Sequence, residues 1–177
     1  LLFSCKENPK PYKAAQLSEI QYTTAPKFIP NSEDILYIND ASGNLELWQL
    51  CASGKVKKIT DLKQNIRNLQ VAPDGSFAIF AVDHGGDERF DMYKYEMESG
   101  KVSKLTETPK VAEKGYSFSE DGSKIALEID SDIPFRSQLF VYDIKAANFQ
   151  QITKGEVPIE SPIWSKNGKK IAGVRSS

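Results

Sequence analysis

A single histidine, His84, stands among the 177 residues of this chain, and that limits the chemistry the chain can carry. A hydrolytic triad needs a nucleophile, a base and an acid that orients the base, so any triad here would have to use His84. No G-x-S-x-G nucleophile elbow is present. Gly115-Tyr116-Ser117-Phe118-Ser119 comes near it but ends in Ser, and it leads into a polar turn rather than a strand-to-helix elbow. Zinc ligation is equally unsupported, because one His and two distant cysteines, Cys5 and Cys51, cannot assemble a ligand set. Asp130-Ser131-Asp132 lacks the Gly and distal Glu of an EF-hand loop and reads as a solvated acidic loop. The residues predict no catalytic group, no metal and no cofactor within this chain.

One segment is richer than a scaffold needs: Asp83-His84-Gly85-Gly86-Asp87-Glu88-Arg89-Phe90. Paired glycines let the backbone bend sharply, so that Asp83, Asp87 and Glu88 can bond nearby amides or Arg89. On one reading this is a self-satisfied structural loop. On the other, Asp83, His84, Asp87, Glu88 and Arg89 sit at the mouth of a scaffold and contact a substrate or a partner domain. Loops on rigid frameworks often carry that role.

The framework that would position this loop is a four-fold repeat. Its mark is a polar turn between apolar strands: Pro30-Asn31-Ser32-Glu33, Pro73-Asp74-Gly75-Ser76, Glu120-Asp121-Gly122-Ser123 and Lys166-Asn167-Gly168-Lys169. A large apolar residue precedes each turn (Phe28, Val71, Phe118, Trp164), and Ile35, Ala78, Ile125 and Ile171 open the next run. Third runs follow at Leu47–Leu50, Met92–Tyr95 and Leu139–Tyr142, apolar on both faces as a strand covered on both sides requires. Each complete copy closes on Ile59-Thr60, Leu105-Thr106 or Ile152-Thr153. Asp-Gly and Asn-Gly supply the positive φ of tight turns, so Asn31-Ser32 predicts a wider or different turn in the first copy. Second turns fall at Ser53-Gly54-Lys55, at Ser99-Gly100-Lys101 and at Ala147-Asn148, where Asn tolerates the left-handed region. Val111 to Lys114 and Ala14 to Glu19 have at most the length of a turn. Four short strands per unit predict β-propeller blades. The fold expected is all-β, a partial propeller of three four-stranded blades (20–62, 66–108, 112–155) and half of a fourth (158–177). Phe28, Val71, Phe118 and Trp164 are expected at equivalent positions buried between blades.

Such an arc leaves open faces and edges, so the chain is expected to be a piece of a longer protein, poorly soluble or oligomeric alone. Leu1-Leu2-Phe3-Ser4-Cys5 resembles the end of a bacterial lipobox, which would make Cys5 a lipidated N-terminus and residues 6–13 its tether; a Cys in an unstructured arm is the alternative. Lys plus Arg number 23 against 24 acidic residues, a balance without the footprint of a nucleic-acid binder. The lysines of Lys55-Val56-Lys57-Lys58 and Lys169-Lys170 read as solvated edges. Cys51 reads as a small packed hydrophobe.

The loop Asp83–Glu88, with Met92-Tyr93, Gly100-Lys101-Val102 and Leu105-Thr106, resembles the propeller of prolyl oligopeptidase family serine peptidases, of the acylaminoacyl and dipeptidyl peptidase kind. Ser161-Pro162-Ile163-Trp164-Ser165-Lys166-Asn167-Gly168 is also similar to the TolB-like (WD40-like) propeller of the bacterial periplasm. The first resemblance implies a propeller that gates and helps bind peptide substrate for a C-terminal α/β-hydrolase domain of the same polypeptide. The triad would lie in that domain, and no catalytic residue would lie here. The Glu-Glu pair of dipeptidyl peptidases has no match. The second implies a non-catalytic interaction propeller of the cell envelope. A sugar-binding or lyase-like propeller is a third alternative.

Overall fold

The computed structural model describes residues 21–108, 111–130, 137–155 and 158–175, and the expectations for Cys5, Ala14–Glu19 and Ser131-Asp132 lie outside them. Among the described residues there are fourteen strands and no helix. The first sheet holds β1 (Thr23–Phe28), β2 (Ile35–Asn39), β3 (Glu46–Leu50) and β4 (Val56–Lys58). The second holds β5 (Ile66–Val71), β6 (Phe77–Asp83), β7 (Phe90–Glu96) and β8 (Val102–Lys104). The third holds β9 (Ala112–Phe118), β10 (Lys124–Asp130), β11 (Ser137–Asp143) and β12 (Asn148–Gln151). A two-stranded sheet, β13 (Ile159–Trp164) with β14 (Ile171–Arg175), completes the set. Strands are antiparallel and in sequence order within each sheet. The first strands meet across sheets, β1 with β5, β5 with β9 and β9 with β13, so they line a common axis. This is the expected arc of three blades and a half. Val111 to Lys114 is not a free-standing turn, since its last three residues open β9.

The core lies between blades. Successive side chains of a strand point to opposite faces, so β6 serves two cores at once. Ala78, Phe80 and Val82 pack with Leu36, Ile38 and Leu47 of the first blade. Ile79 and Ala81 pack with Ile125, Leu127 and Tyr116 of the third.

Register makes Phe28, Val71, Phe118 and Trp164 equivalent, opposite Ile35, Ala78, Ile125 and Ile171 of the next strand. Their burial is not equivalent. Val71 packs against the first core, and Phe118 meets Phe77 edge-on at 5.6 Å. Val71, Phe118 and Trp164 are half-buried and Phe28 is 70% exposed, so the expected full burial of this column is reached by none of them and fails outright at Phe28. This column is covered by the preceding blade, and β1 has no such neighbour among the described residues.

All four polar turns close with the same pair of backbone bonds. In the second blade these run from Ala72 N–H to Phe77 O and from Gly75 N–H to Ala72 O. The first turn has the same width, with Ile29 N–H bonding Asp34 O and Ser32 N–H bonding Ile29 O. It differs in conformation: the left-handed residue is Asn31 (φ 58°) rather than the following position, where Gly75, Gly122 and Gly168 sit. In the outer turn of the third blade the left-handed residue is Ala147 (φ 50°), not Asn148, which already belongs to β12.

The recurring Thr has a structural task. Thr60, Thr106 and Thr153 each accept a hydrogen bond from the backbone N–H of the third strand, at Leu47, Met92 and Leu139, over 2.8, 2.9 and 2.9 Å. Their hydroxyls then donate to Glu46, Glu113 and Gln138. The N–H bond is supplied where the short outer strand has ended, which keeps a buried donor satisfied.

Candidate functional site

Asp83 ends β6 and Phe90 begins β7, so residues 84–89 form the connection between them. Three of these six residues have left-handed backbone: Gly85 (φ 71°), Gly86 (φ 82°) and Glu88 (φ 58°). The loop is fastened to the frame at its start. Asp83 N–H bonds Asn65 O at 3.0 Å, and Gly85 N–H bonds Gln64 Oε1 at 2.8 Å, both on the connector from the first blade. His84 Nε2 lies 3.1 Å from Asp91 Oδ2, and its ring tilts against Tyr93. At the other end Asp87 Oδ1 accepts from Arg89 N–H at 2.9 Å, a local Asx-type turn.

The predicted residues therefore fall into two groups. Asp83 is buried, and its Oδ1 makes no hydrogen bond. His84, Asp87, Glu88 and Arg89 are all exposed. Among the described residues Arg89 forms no ion pair with Asp83, Asp87 or Glu88, and the Glu88 carboxylate bonds nothing.

Behind the loop lies a polar cluster that sequence reading missed. Asp91 Oδ2 is 3.0 Å from Lys104 Nζ, and Asp91 Oδ1 accepts from Thr108 N–H at 3.1 Å. Burial opposes ionisation of Asp91, but Lys104, the Thr108 amide and His84 outweigh it and hold its pKa below the ordinary value. Thr108 Oγ1 donates to Glu113 Oε1 at 2.6 Å, and Met92 N–H donates to Glu113 Oε2 at 3.1 Å. Burial pushes the Glu113 pKa up despite these donors. The cluster joins the loop to the seam between the second and third blades. Its members are far apart in sequence, and only the repeated Leu105-Thr106 signalled it. Among the described residues no group of three His, Cys, Asp or Glu side chains could hold a metal ion.

The axial strands carry a second feature without an obvious sequence signal. Each has a β-bulge in which two residues oppose one: Ala25-Pro26, Asn68-Leu69, Gly115-Tyr116 and Ser161-Pro162. The first of each pair is left-handed, with φ of 50°, 56°, 64° and 53°. These bulges stand six residues before the Asn or Asp of each turn, on the wall facing the axis. Gly115, part of the imperfect elbow motif, is one of them.

No family model matches this chain, and no curated protein matches it. Solved structures do. TolB from Acinetobacter baumannii is 28% identical over 83% of this chain and 36% of its own, with a TM-score of 0.64. An oligogalacturonate lyase from Vibrio parahaemolyticus is 18% identical over 85% of this chain and 44% of its own, with a TM-score of 0.68. A prolyl endopeptidase is 13% identical over 88% of this chain and 26% of its own, again with a TM-score of 0.68. What they share with this chain is a TolB-like β-propeller, and the chain is an arc of that fold. It spans less than half the length of each. One architecture thus serves proteins named for quite different activities, so function has to be argued from sites.

Proposed function

We propose that this chain is a binding unit that does no chemistry itself, an arc of an envelope propeller that offers residues 84–89 and the bulged axial strands to a protein partner. The observation that carries this reading is the state of the loop. Its start is anchored through Asp83, His84 and Gly85, while the side chains of Glu88 and Arg89 are exposed and make no hydrogen bond or ion pair among the described residues. A rigid frame presenting free charges favours recognition, because little ordering entropy remains to be lost on binding. The 28% identity to TolB supports this class and an envelope location. A lipid anchor at Cys5 belongs to the same reading; incorporation of labelled palmitate that persists in Cys5→Ser would remove it.

A second reading keeps the same loop as a substrate-contacting gate over a C-terminal serine peptidase domain. The Gly-Gly-Asp-Glu sequence of the loop favours it, together with the likeness to a prolyl endopeptidase propeller. A photo-crosslinking residue at position 88 of the full-length protein separates the two. An adduct to a distinct protein, lost when Arg89 is replaced by Glu, supports the interaction module. An intramolecular adduct to a downstream domain supports the gate. Absence of any adduct overturns both.

A further inference from the structure

The polar turns lie at the other end of the blades from residues 84–89, because β6 runs from one to the other. At this end neighbouring turns stack. A Cβ placed on Gly75 would come within 3.0 Å of the carbonyl oxygen of Pro30 and 3.5 Å of its Cβ. One placed on Gly122 would come within 3.2 Å of Pro73 Cδ. The proline that opens one turn thus fills the space beneath the glycine of the next. The third seam breaks this rule. Its opening residue is Glu120, and nothing lies within 4 Å of the corresponding point on Gly168. A cleft of about 430 Å³ opens there, walled by Glu120, Asp121, Lys124, Trp164 and Lys166.

The charges in this cleft are not balanced from within. Asp121 is consumed by its own turn, accepting from the hydroxyls of Ser119 and Ser123 and from Ser123 N–H. Lys124 and Lys166 are exposed and form no ion pair among the described residues. Among the residues that line the cleft, Glu120 is the one other carboxylate. The indole N–H of Trp164 is buried with no acceptor, an independent sign that this seam is incomplete as it stands, since buried donors are normally paired. Two free ammonium groups beside an aromatic wall call for a guest bearing negative charge.

We propose that this cleft binds a carboxylate carried on a peptide, either an Asp or Glu side chain or a free C-terminus. The Trp164 ring packs on the adjoining backbone, and Lys124 and Lys166 meet the charge. The site is independent of the loop at residues 84–89 and of what that loop contacts.

The chain has two tryptophans, so its indole N–H resonances in a ¹⁵N-labelled sample are two, assigned with Trp48→Phe. Three short peptides serve as probes: one with Glu and an amidated C-terminus, one without acidic residues and a free C-terminus, and one neutral throughout. The expected result is a saturable shift of the Trp164 signal with the first, the second or both, and none with the neutral peptide. Which of the charged peptides acts identifies the source of the carboxylate. Because rim charges are screened, added salt should weaken the response. Glu120→Pro, which restores the plug of the other two seams, should weaken binding by roughly an order of magnitude or more. The Lys124→Ala/Lys166→Ala pair should do so as well, without touching the turn backbone. An equal shift with the neutral peptide, or full binding by the double lysine variant, overturns the proposal.

Discussion

Glu128 reaches across the backbone of Gly115 to accept a 2.6 Å hydrogen bond from the N–H of Ser161. It thereby ties β10 of the third blade to the bulge of the next. A Cβ on Gly115 would collide with the Glu128 carboxylate, and Gly115 has a φ of 64°. Replacing it by Ala therefore meets two penalties, left-handed strain and a steric clash. Gly115→Ala is expected to destabilise the chain by about 2 kcal/mol or more in urea unfolding. In a Glu128→Ala background, which has already lost the Ser161 bond and the clash, Gly115→Ala should cost only the roughly 1–2 kcal/mol of left-handed strain. Strict additivity of the two changes would disprove the contact.

The recurrent Thr predicts a common response. Thr60→Val removes both the acceptor for Leu47 N–H and the donor to Glu46 in a buried site. A buried group left unpaired costs about 1–3 kcal/mol. Thermal unfolding should show that loss, and Thr60→Ser should show much less of it. Equal losses for both would mean that the methyl group matters and the hydroxyl does not.

Two carboxylates should leave opposite signatures in stability against pH. Burial raises the Glu113 pKa above 4.5, so the folded chain takes up this proton before the unfolded chain does. Ionised Glu113 then costs stability at neutral pH, and that cost disappears as pH falls through the window between its raised value and 4.5. Asp91 lies below 3.8 because Lys104 and the Thr108 amide outweigh burial. Its contribution is present above 3.8 and is lost as pH falls through its lowered folded value. Denaturation midpoints of Glu113→Gln and Asp91→Asn against the parent, from pH 7 to pH 3, should diverge in these opposite senses.

Glu88→Gln removes a charge that bonds nothing among the described residues and keeps the side-chain shape. Unfolding should be unchanged. A change in partner affinity, or in kcat/KM if a peptidase domain follows, would then report function directly. A fall in melting temperature instead would mark a scaffold role.

The chain by itself is expected to hydrolyse no peptide substrate, since it has one histidine and no nucleophile elbow. Hydrolysis that vanishes in His84→Ala would overturn the binding-unit reading.

The blade architecture was legible in the sequence because its signals are local. Asp-Gly and Asn-Gly turns fix where strands end, and a repeat of such turns has few folded solutions other than blades around an axis. The loop at 84–89 was legible for the same reason, since two adjacent glycines mark unusual backbone wherever they occur. Exposure of Phe28 was not, because the side chains that cover this column belong to another blade. The axial bulges also escaped, since Ala25 and Ser161 are not residues that announce a left-handed conformation, and Asn68 and Gly115 sit inside runs that read as strand. Glu113, buried on a strand that reads as polar, found its donors on Thr106, Thr108 and Met92 only after two blades had packed. The sequence determined what each segment does on its own. The meeting of Glu128 with Ser161, of Asp91 with Lys104, and the gap left where Glu120 stands in place of proline were decided only by the tertiary structure, because each depends on how one blade lies against its neighbours or on which strands a sheet brings side by side.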